Sequence, residues 1–459
     1  MSAARLSQSR GHFRATAVEK LADENVQSAI DAATGRLYGL REKAWGELDG
    51  VEELRERGRE IRTRTIHDLD RHLSDFTHAI EALGGHVHRC TTAEEARAVI
   101  VDVCRRVNAK LAVKSKSMAS EEIELNDALA AIGVRAVEAD LGEYIIQLAG
   151  EHPTHIIAPA LEKTGADVAE LFSRVEGRPI SAELTELQRA ARRQLREVFL
   201  TADIGITGVN FGVAETGSIC LVTNEGNGRM ASALPRVHIA LMGMERVVPT
   251  LAELSVLLRL LARSATGQRL TSYTTLITGP RRPRESDGPE ELHVVILDNG
   301  RSRLLGGRYQ EMLNCIRCGA CLNVCPVYRK TGGSAYGPVY SGPMGAVLVP
   351  LLTGLDGAPD HPHASSLCGA CTAACPVKIP LHELLLELRR DLVSERVAPW
   401  HERLAFTAWS LAWSRPLTYG LATRAARVGQ RVGGRIGPGR AWASGRELPR
   451  LAKRRFRDG

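Results

Sequence analysis

Seven of the ten cysteines lie in two groups whose spacing is typical of iron–sulfur proteins. The first group has the spacing C-x2-C-x2-C-x3-C-P and the second has C-x2-C-x3-C-P; their members are Cys315, Cys318, Cys321 and Cys325, and then Cys368, Cys371 and Cys375. In such a run three closely spaced thiolates hold one [4Fe–4S] cube, while the fourth reaches a second cube. The proline that follows the last cysteine ends the loop and turns the chain away. The spacing therefore predicts two iron–sulfur clusters.

Crossed ligation assigns the seven thiols to two clusters with unequal numbers of ligands. The first cluster takes Cys315, Cys318, Cys321 and Cys375, and the second takes Cys325, Cys368 and Cys371. The second cluster is one ligand short, and Ser365 stands three residues before Cys368, where a fourth cysteine is expected. The sequence is compatible with three arrangements: Ser365 ligates through its oxygen, water or a partner completes the site, or this cluster contains three irons.

Zinc sites and disulfides are the other common roles of grouped cysteines. A tetrahedral zinc site takes four ligands in two pairs, which three consecutive close spacings followed by Cys-Pro do not suit. The first twenty residues lack the apolar core of a secretory signal, and disulfides are rare in proteins that are not exported. No stretch approaches the ~20 apolar residues of a spanning helix. We therefore expect a cytoplasmic protein in which Cys90, Cys104 and Cys220 are buried apolar residues.

Positive charge is concentrated at the end of the chain. Residues 415–459 contain twelve Lys or Arg against two acidic residues, so this stretch carries +10 and the rest of the chain, whose total is +7, carries −3. Phe406, Trp409 and Trp413 share one helical face nearby. This face is compatible with packing on the protein's own body, docking to a partner subunit, or peripheral contact with the inner face of a membrane. The tail lacks the aromatic platform of single-strand-binding proteins, so nucleic acid is not an expected partner.

The elements that must position these residues fall into four parts. Apolar residues recur at the helical period over residues 1–80, which predicts an N-terminal helical segment. Strands alternate with helices over residues 81–300, including a strand at 155–158, and this pattern predicts an α/β domain with a mainly parallel sheet. Residues 301–392 are expected to form a mainly α, loop-rich domain that takes much of its order from the clusters. Residues 393–459 are expected to form a helical, basic tail.

Two glycine-rich turns in the α/β part carry the candidate catalytic residues. Glu215 lies on a turn before an apolar strand, where a carboxylate acts as nucleophile or base, and Arg229 suits a bidentate contact to a carboxylate. Lys114 and Lys116 lie where a strand meets a helix, the usual ligand position in open α/β sheets. A plain turn or a charged surface loop is the alternative role for these residues. Neither a Rossmann glycine motif nor a P-loop is present.

Five segments of the chain resemble one protein family. They are Asp140–Gln147, His155–Ala160, Gly212–Ser218, Cys315–Cys321 and Cys368–Cys371. The first three resemble the LUD domain of lactate-utilisation proteins, and together with both cysteine motifs they make the chain similar to the lactate-utilisation protein B family. The resemblance implies a LUD domain with the fold of the ribose-5-phosphate isomerase and CoA-transferase group. It also implies a ferredoxin-type two-cluster domain with seven ligating cysteines rather than eight.

The resemblance further implies the iron–sulfur, electron-transfer subunit of a three-component system that oxidises L-lactate to pyruvate. The expected partners are a cysteine-rich-domain subunit and a small LUD-only subunit, and the two-electron acceptor is expected in a partner, so the chain alone should have little activity. Another hydroxyacid or polyol phosphate, such as glycolate or glycerol-3-phosphate, is an alternative electron donor. A CoA-transferase-like enzyme with structural clusters is the second alternative. In that group a glutamate such as Glu215 forms the acyl intermediate, but Cys220 stands where the motif ends in glycine.

Overall fold

The fold begins with four helices that precede the first strand. In the computed structural model, which describes residues 6–337, 339–433 and 452, they are α1 (His12–Ala22), α2 (Glu24–Gly46), α3 (Val51–His67) and α4 (Leu69–Ala82). The Asp23 carboxylate accepts the N–H of Val26 at 3.1 Å and so satisfies one of the free donors where α2 begins. α4 buries Phe76 and Ile80 completely. These helices occupy the segment for which the apolar period predicts them.

An α/β part follows these helices. Its elements are β1 (His86–Cys90), α5 (Ala93–Arg106), β2 (Leu111–Lys114), α6 (Met118–Glu122), α7 (Leu125–Ala130), β3 (Arg135–Glu138), α8 (Leu141–Ala149), α9 (Gly165–Glu176), α10 (Leu184–Thr201), β4 (Ile204–Gly208), β5 (Phe211–Val213), β6 (Ser218–Thr223), α11 (Asn227–Ala233), β7 (Val237–Gly243), β8 (Val247–Val248), α12 (Leu251–Thr266), β9 (Tyr273–Ile277) and β10 (Glu291–Leu297). Six strands form one sheet in the order β1-β10-β7-β4-β2-β3, and all of its pairs are parallel. A second sheet has the order β8-β5-β6-β9. The predicted parallel sheet is confirmed.

The strand β7 illustrates how the large sheet is buried on both faces. All of its residues are buried. Ile239 and Leu241 belong to one apolar cluster with Ile100 of α5, whereas Met242 belongs to another with Phe76 of α4. Successive side chains of a strand point to opposite faces, so a strand covered by helices on both sides reads as a continuous apolar run. The apolar sequence of β7 therefore fixes it in the centre of the sheet.

Residues 155–158 form a turn, and the prediction of a strand there was wrong. The Nδ1 atom of the His155 imidazole accepts the N–H groups of Ile157 at 3.0 Å and of Ala158 at 3.1 Å. The side chain thus satisfies backbone donors that a strand would have paired with a neighbour. The other ring nitrogen, Nε2, lies 3.1 Å from Oδ1 of Asn323, which holds the turn against the segment that carries the first cysteine group.

Short helices and loops follow the sheet, as the composition predicts. They include α13 (Ala320–Asn323), α14 (Tyr328–Thr331), α15 (Gly342–Thr353), α16 (Ala370–Ala374) and α17 (Leu381–Ser394). The helix α15 is longer than the loops around it, and its side chains Met344, Val347 and Leu348 are buried. The segment between the two cysteine groups therefore contributes buried apolar side chains to the first unit. That the clusters supply much of its order stays a prediction.

The chain divides into two compact units, Met1–Asp391 and Leu392–Gly459. The second unit contains α18 (Trp400–Ser414) and α19 (Pro416–Gly433). Trp409 and Trp413 pack with ring centroids 6.5 Å apart, yet 61% and 41% of their surfaces are exposed. The ring of Tyr419 packs against Trp413 with centroids 5.3 Å apart, and the surface that the exposed remainder of this face contacts stays a prediction. Residues 434–451 and 453–459 of the basic tail lie outside the described residues. No described helix has the length and hydropathy of a membrane-spanning segment.

The side chain of Arg62 connects three parts of the first unit. It is 1% exposed on α3, and its guanidinium donates to the carbonyl oxygens of Val247 at 2.8 Å and Leu313 at 3.0 Å, and also to that of Glu245. Burial lowers its pKa to about 9. The N-terminal helices, the second sheet and the segment that leads into the first cysteine group therefore share one buried cation.

We predict that Arg62→Met lowers the free energy of unfolding by roughly 3 kcal/mol, because several buried carbonyl oxygens lose their donor. Arg57→Met is the matched control, since Arg57 lies on the same helix with 52% of its side chain exposed. Thermal unfolding of anaerobically prepared protein measures the difference. Equal losses of Tm in the two variants would contradict the role assigned to Arg62.

Candidate metal centre and adjoining cavity

The first cysteine loop has a backbone that wraps around its own sulfur atoms. Arg317 and Gly319 both adopt left-handed conformations, with φ of 59° and 74°. The N–H of Arg317 donates to Sγ of Cys315 at 3.4 Å, and α13 begins directly after Gly319. A left-handed conformation is uncommon for a non-glycine residue such as Arg317, and such residues occur often at functional sites. Cys318 and Cys321 are buried on its inner side.

The second cysteine loop has the same backbone conformation as the first loop, at positions fifty residues further along the chain. Leu367 and Gly369 take the left-handed conformations of Arg317 and Gly319, with φ of 56° and 81°, and α16 begins directly after Gly369. The N–H of Leu367 donates to Oγ of Ser365 at 3.1 Å, just as the equivalent N–H donates to a cysteine sulfur in the first loop. Ser365 therefore occupies the position of Cys315 in a repeated loop. Its role as a ligand stays a prediction.

The four cysteines assigned to the first cluster line a single cavity. Cys315, Cys318, Cys321 and Cys375 face it together with apolar side chains such as Met344 and Val377. Burial raises the pKa of Cys318 to about 12, with Cys375 contributing, and it raises the pKa of Cys375 to about 11. Buried thiols of this kind ionise only next to a strong positive charge such as a metal centre supplies. The residues present therefore fit an iron–sulfur cluster.

The three cysteines assigned to the second cluster form a separate group with one open side. Burial raises the pKa of Cys371 to about 12, and the nearby thiols of Cys325 and Cys368 add to this effect. Cys368 is exposed, and hydrogen bonds from the N–H of Ala370 and from Ser366 lower its pKa. The second group is therefore the more accessible to solvent.

A single zinc ion and an iron–sulfur cube require different spacings of their sulfur ligands. Among the described residues, no three His, Cys, Asp or Glu side chains converge closely enough to hold one metal ion. Zinc at a Zn–S distance of ~2.3 Å would draw its four sulfurs into a tight tetrahedron. A cube of iron and sulfide has a wider body, and its ligands stand correspondingly further apart.

A larger cavity of about 280 Å³ lies at the carboxyl ends of β2 and β4. The residues that follow these strands line it, together with others from the cysteine segment; they include Ser115, Lys116, Asp140, Gly208, Asn210, Glu225, Asn227, Gly243, Arg246, Arg317 and Tyr340. Ile156 and Arg317 line both this cavity and the four-cysteine cavity. The two cavities are thus separated by a single layer of side chains.

A buried ion network forms one wall of the larger cavity. Arg301 donates to both carboxylate oxygens of Glu122, at 2.9 and 2.7 Å, and its Nε lies 2.9 Å from Oε2 of Glu245. Arg317 donates to Oε1 of Glu245 at 3.1 Å. The hydroxyl of Tyr340 donates to Glu122 at 2.5 Å. Two carboxylates thus balance two guanidinium groups in a place with almost no solvent.

The two lysines after β2 differ in their surroundings. Lys114 is buried, and its ammonium contacts Glu138 at 2.7 Å and Glu121 at 2.9 Å. The Nζ atom of Lys116 is also buried, but it has no hydrogen-bond partner among the described residues, and its nearest carboxylate contact is with Glu143 at 3.9 Å. Lys116 lines the cavity and Lys114 does not.

The two candidate catalytic residues lie elsewhere. Glu215 is exposed, and its Oε2 accepts the N–H of Leu251 at 3.0 Å, which satisfies a free donor at the start of α12. Arg229 is exposed on α11. Neither residue lines the larger cavity. Sequence reasoning also missed Arg246 and Tyr340 as cavity residues, because no motif marks either of them.

Three family models match the chain in succession. The LUD domain matches residues 73–297, the 4Fe-4S dicluster domain matches residues 311–379, and the model named Lactate utilisation protein B, C-terminal, matches residues 393–459. A crystal structure of a DUF162 family protein from Deinococcus radiodurans is also similar, at 15% identity and a TM-score of 0.28; the match covers 50% of this chain and 98% of that one.

Curated relatives match almost the whole chain. Lactate utilization protein B of Bacillus thuringiensis (strain Al Hakam) and its counterpart in Bacillus cereus (strain AH187) are each 50% identical to it over 444 residues. Each match covers 95% of this chain and 94% of the relative. The order of the matched domains is the order of the LUD sheet and the two cysteine loops described above. The chain therefore belongs to the lactate utilization protein B family.

Proposed function

We propose that this protein is the iron–sulfur, electron-transfer subunit of a multi-subunit system that oxidises L-lactate to pyruvate. The family supports a role in lactate utilisation, and the dicluster domain supports bound iron–sulfur clusters. The observation that carries the proposal is the position of Cys375, which belongs to the second motif but lines the cavity of the first. Crossed ligation of this kind brings two clusters close together, as an electron relay requires.

The electron balance of the reaction explains why partners are needed. Oxidation of lactate to pyruvate breaks the C2–H and O–H bonds and releases two electrons and two protons. A [4Fe–4S] cluster takes up one electron at a time, so the direct acceptor from lactate is a two-electron group. We place this group in a partner, and we propose a cysteine-rich-domain subunit and a LUD-only subunit as the partners. The assembly is cytoplasmic, with peripheral membrane contact through the basic tail.

The alternative of a CoA-transferase-like enzyme is less well supported. Its acyl-accepting glutamate would be Glu215, whose carboxylate instead caps α12 on the exposed side of a turn. Glycolate and glycerol-3-phosphate remain alternative donors for the same relay, and the experiment below separates them from lactate.

We expect the anaerobically purified chain to reduce an artificial electron acceptor poorly with L-lactate and to become active when the two partner subunits are added. Parallel assays with glycolate and glycerol-3-phosphate identify the donor. Strong lactate turnover by the chain alone would contradict the subunit assignment, and a reconstituted complex that oxidises glycolate but not lactate would contradict the substrate.

The cluster assignment predicts about seven to eight iron atoms per chain in anaerobic protein and about three to four after Cys318→Ala, because the first cube loses a ligand. Cys104→Ala is the matched control, since it removes an equally buried sulfur on α5. Iron analysis together with electron paramagnetic resonance measures the loss. An unchanged iron content in Cys318→Ala would remove Cys318 from the ligand set.

The second cluster, with three cysteine ligands and an exposed edge at Cys368, should lose iron first in air and give the paramagnetic signal of a three-iron form. Ser365→Cys should slow this conversion by supplying a fourth thiolate at the position equivalent to Cys315. Ser365→Ala should leave the spectrum unchanged if water completes the site. If Ser365→Cys and Ser365→Ala convert at the same rate, the side chain at this position does not ligate the cluster.

A further inference from the structure

We propose that the larger cavity binds a small 2-hydroxycarboxylate or 2-oxocarboxylate and that Lys116 is the cation that holds its carboxylate. The proposal deepens the proposed function and rests on it, because it places the site for the oxidisable acid in this chain rather than in a partner. The cavity is proposed to bind the acid, and the group that accepts its two electrons is still placed in a partner subunit.

The topology of the sheet places this cavity where open α/β sheets bind ligands. The strand order is β1-β10-β7-β4-β2-β3, so the chain leaves β2 towards β3 on one side and leaves β4 towards β7 on the other. The connections diverge between β2 and β4 and leave a crevice outside their carboxyl ends. Ser115 and Lys116 follow β2, Gly208 and Asn210 lie at the end of β4, and all four line the cavity.

The ammonium group of Lys116 makes no hydrogen bond to the described residues around it. Its Nζ is buried, and Glu143 lies 3.9 Å away. Burial raises the pKa of Glu143, which weakens this carboxyl group as a counterion for Lys116. Burial likewise lowers the pKa of Lys116, and an anion bound beside it would stabilise the charged ammonium.

Other buried cations around the cavity already have partners. Arg301 and Arg317 are paired with Glu122 and Glu245 in the ion network. Arg246 also lines the cavity, and it donates from Nη1 to the carbonyl oxygen of Cys315 at 3.0 Å. Lys116 has carboxylates nearby, among them Glu143 and Asp140, but its ammonium donates no hydrogen bond to any of the described residues, so it is the donor left open to an incoming carboxylate.

The remaining lining residues indicate the class of acid. The carboxylates of Asp140 and Glu225 suit the hydroxyl group of a ligand as acceptors, and they repel a dianion such as phosphate more strongly than a monocarboxylate. Ile157 and Met242 provide an apolar surface for a short carbon chain. A volume of about 280 Å³ accommodates a small acid with a few waters rather than a nucleotide.

The cavity is also next to the predicted first cluster. Ile156 and Arg317 separate it from the four-cysteine cavity and line both. The guanidinium of Arg317 stacks 4.6 Å from the ring centre of Tyr340, and its backbone N–H donates to Sγ of Cys315. A bound acid would therefore lie one layer of side chains from the sulfur atoms, and the two-electron acceptor of the partner would have to reach the acid from the open side of the cavity.

Isothermal titration of the anaerobic full-length protein with L-lactate, pyruvate and inorganic phosphate tests the proposal. We expect L-lactate and pyruvate to bind, and Lys116→Met to weaken both roughly tenfold or more, because a charged hydrogen bond is lost. Lys110→Met is the matched control, since Lys110 is exposed just before the other end of β2, and it should bind like the unmodified protein. Lys116→Arg should restore part of the affinity.

Iron content and circular dichroism of each variant show that it is folded and loaded. Lactate binding that is unaffected by Lys116→Met, no binding of either acid to fully loaded protein, or phosphate binding as tightly as lactate would each overturn the proposal. The proposed function fails by a different result, namely a reconstituted complex that binds lactate but transfers no electrons from it.

Discussion

The arrangement of the cysteine loops against the sheet depends on the ion network of Glu122, Arg301, Glu245 and Arg317. Burial alone would raise the pKa of Glu245, but the guanidinium groups of Arg301, Arg317 and Arg246 lower it to about 2, so its charge is retained without solvent. The four residues come from α6, from the turn after β7, from the segment after β10 and from the first cysteine loop. Removing one member would leave a buried charge uncompensated, at a cost of about 3–5 kcal/mol. The network therefore fixes the distance between the sheet edge and the first cluster position.

This constraint also explains why the two cavities share a wall. Arg317 is held from one side by Glu245 and contributes its backbone N–H to Cys315 on the other. Movement of Arg317 towards either cavity would break its side-chain contact with Glu245 or its backbone contact with Cys315. The wall between the two cavities is consequently one layer of side chains thick and is held by contacts on both of its sides.

The sequence allowed a close prediction of the features that depend on local spacing. The cysteine groups, the strand β6 and the helix α17 follow from patterns a few residues long, and Lys116 was singled out because it follows a strand. The ion network could not be predicted, because its members are separated by up to 195 residues in sequence, as their numbers show. The turn at His155 was missed for a related reason, since one imidazole overrides the strand preference of the apolar residues after it. Glu215 is exposed because its carboxylate caps the start of α12. In sequence, the glycine-rich turn that carries it resembles a catalytic turn.

The repeated loop has a consequence for the direction of electron flow. Two identical clusters would have similar reduction potentials, and an electron would have no preferred place between them. In this chain the serine at position 365 breaks the equivalence of the two loops, and the exposure of Cys368 breaks it further. Potentials of iron–sulfur clusters depend on the charge of the ligand set and on solvent exposure. A duplicated motif in which serine replaces one cysteine would therefore give the two proposed clusters unequal reduction potentials, and an electron in the proposed relay would favour one of them.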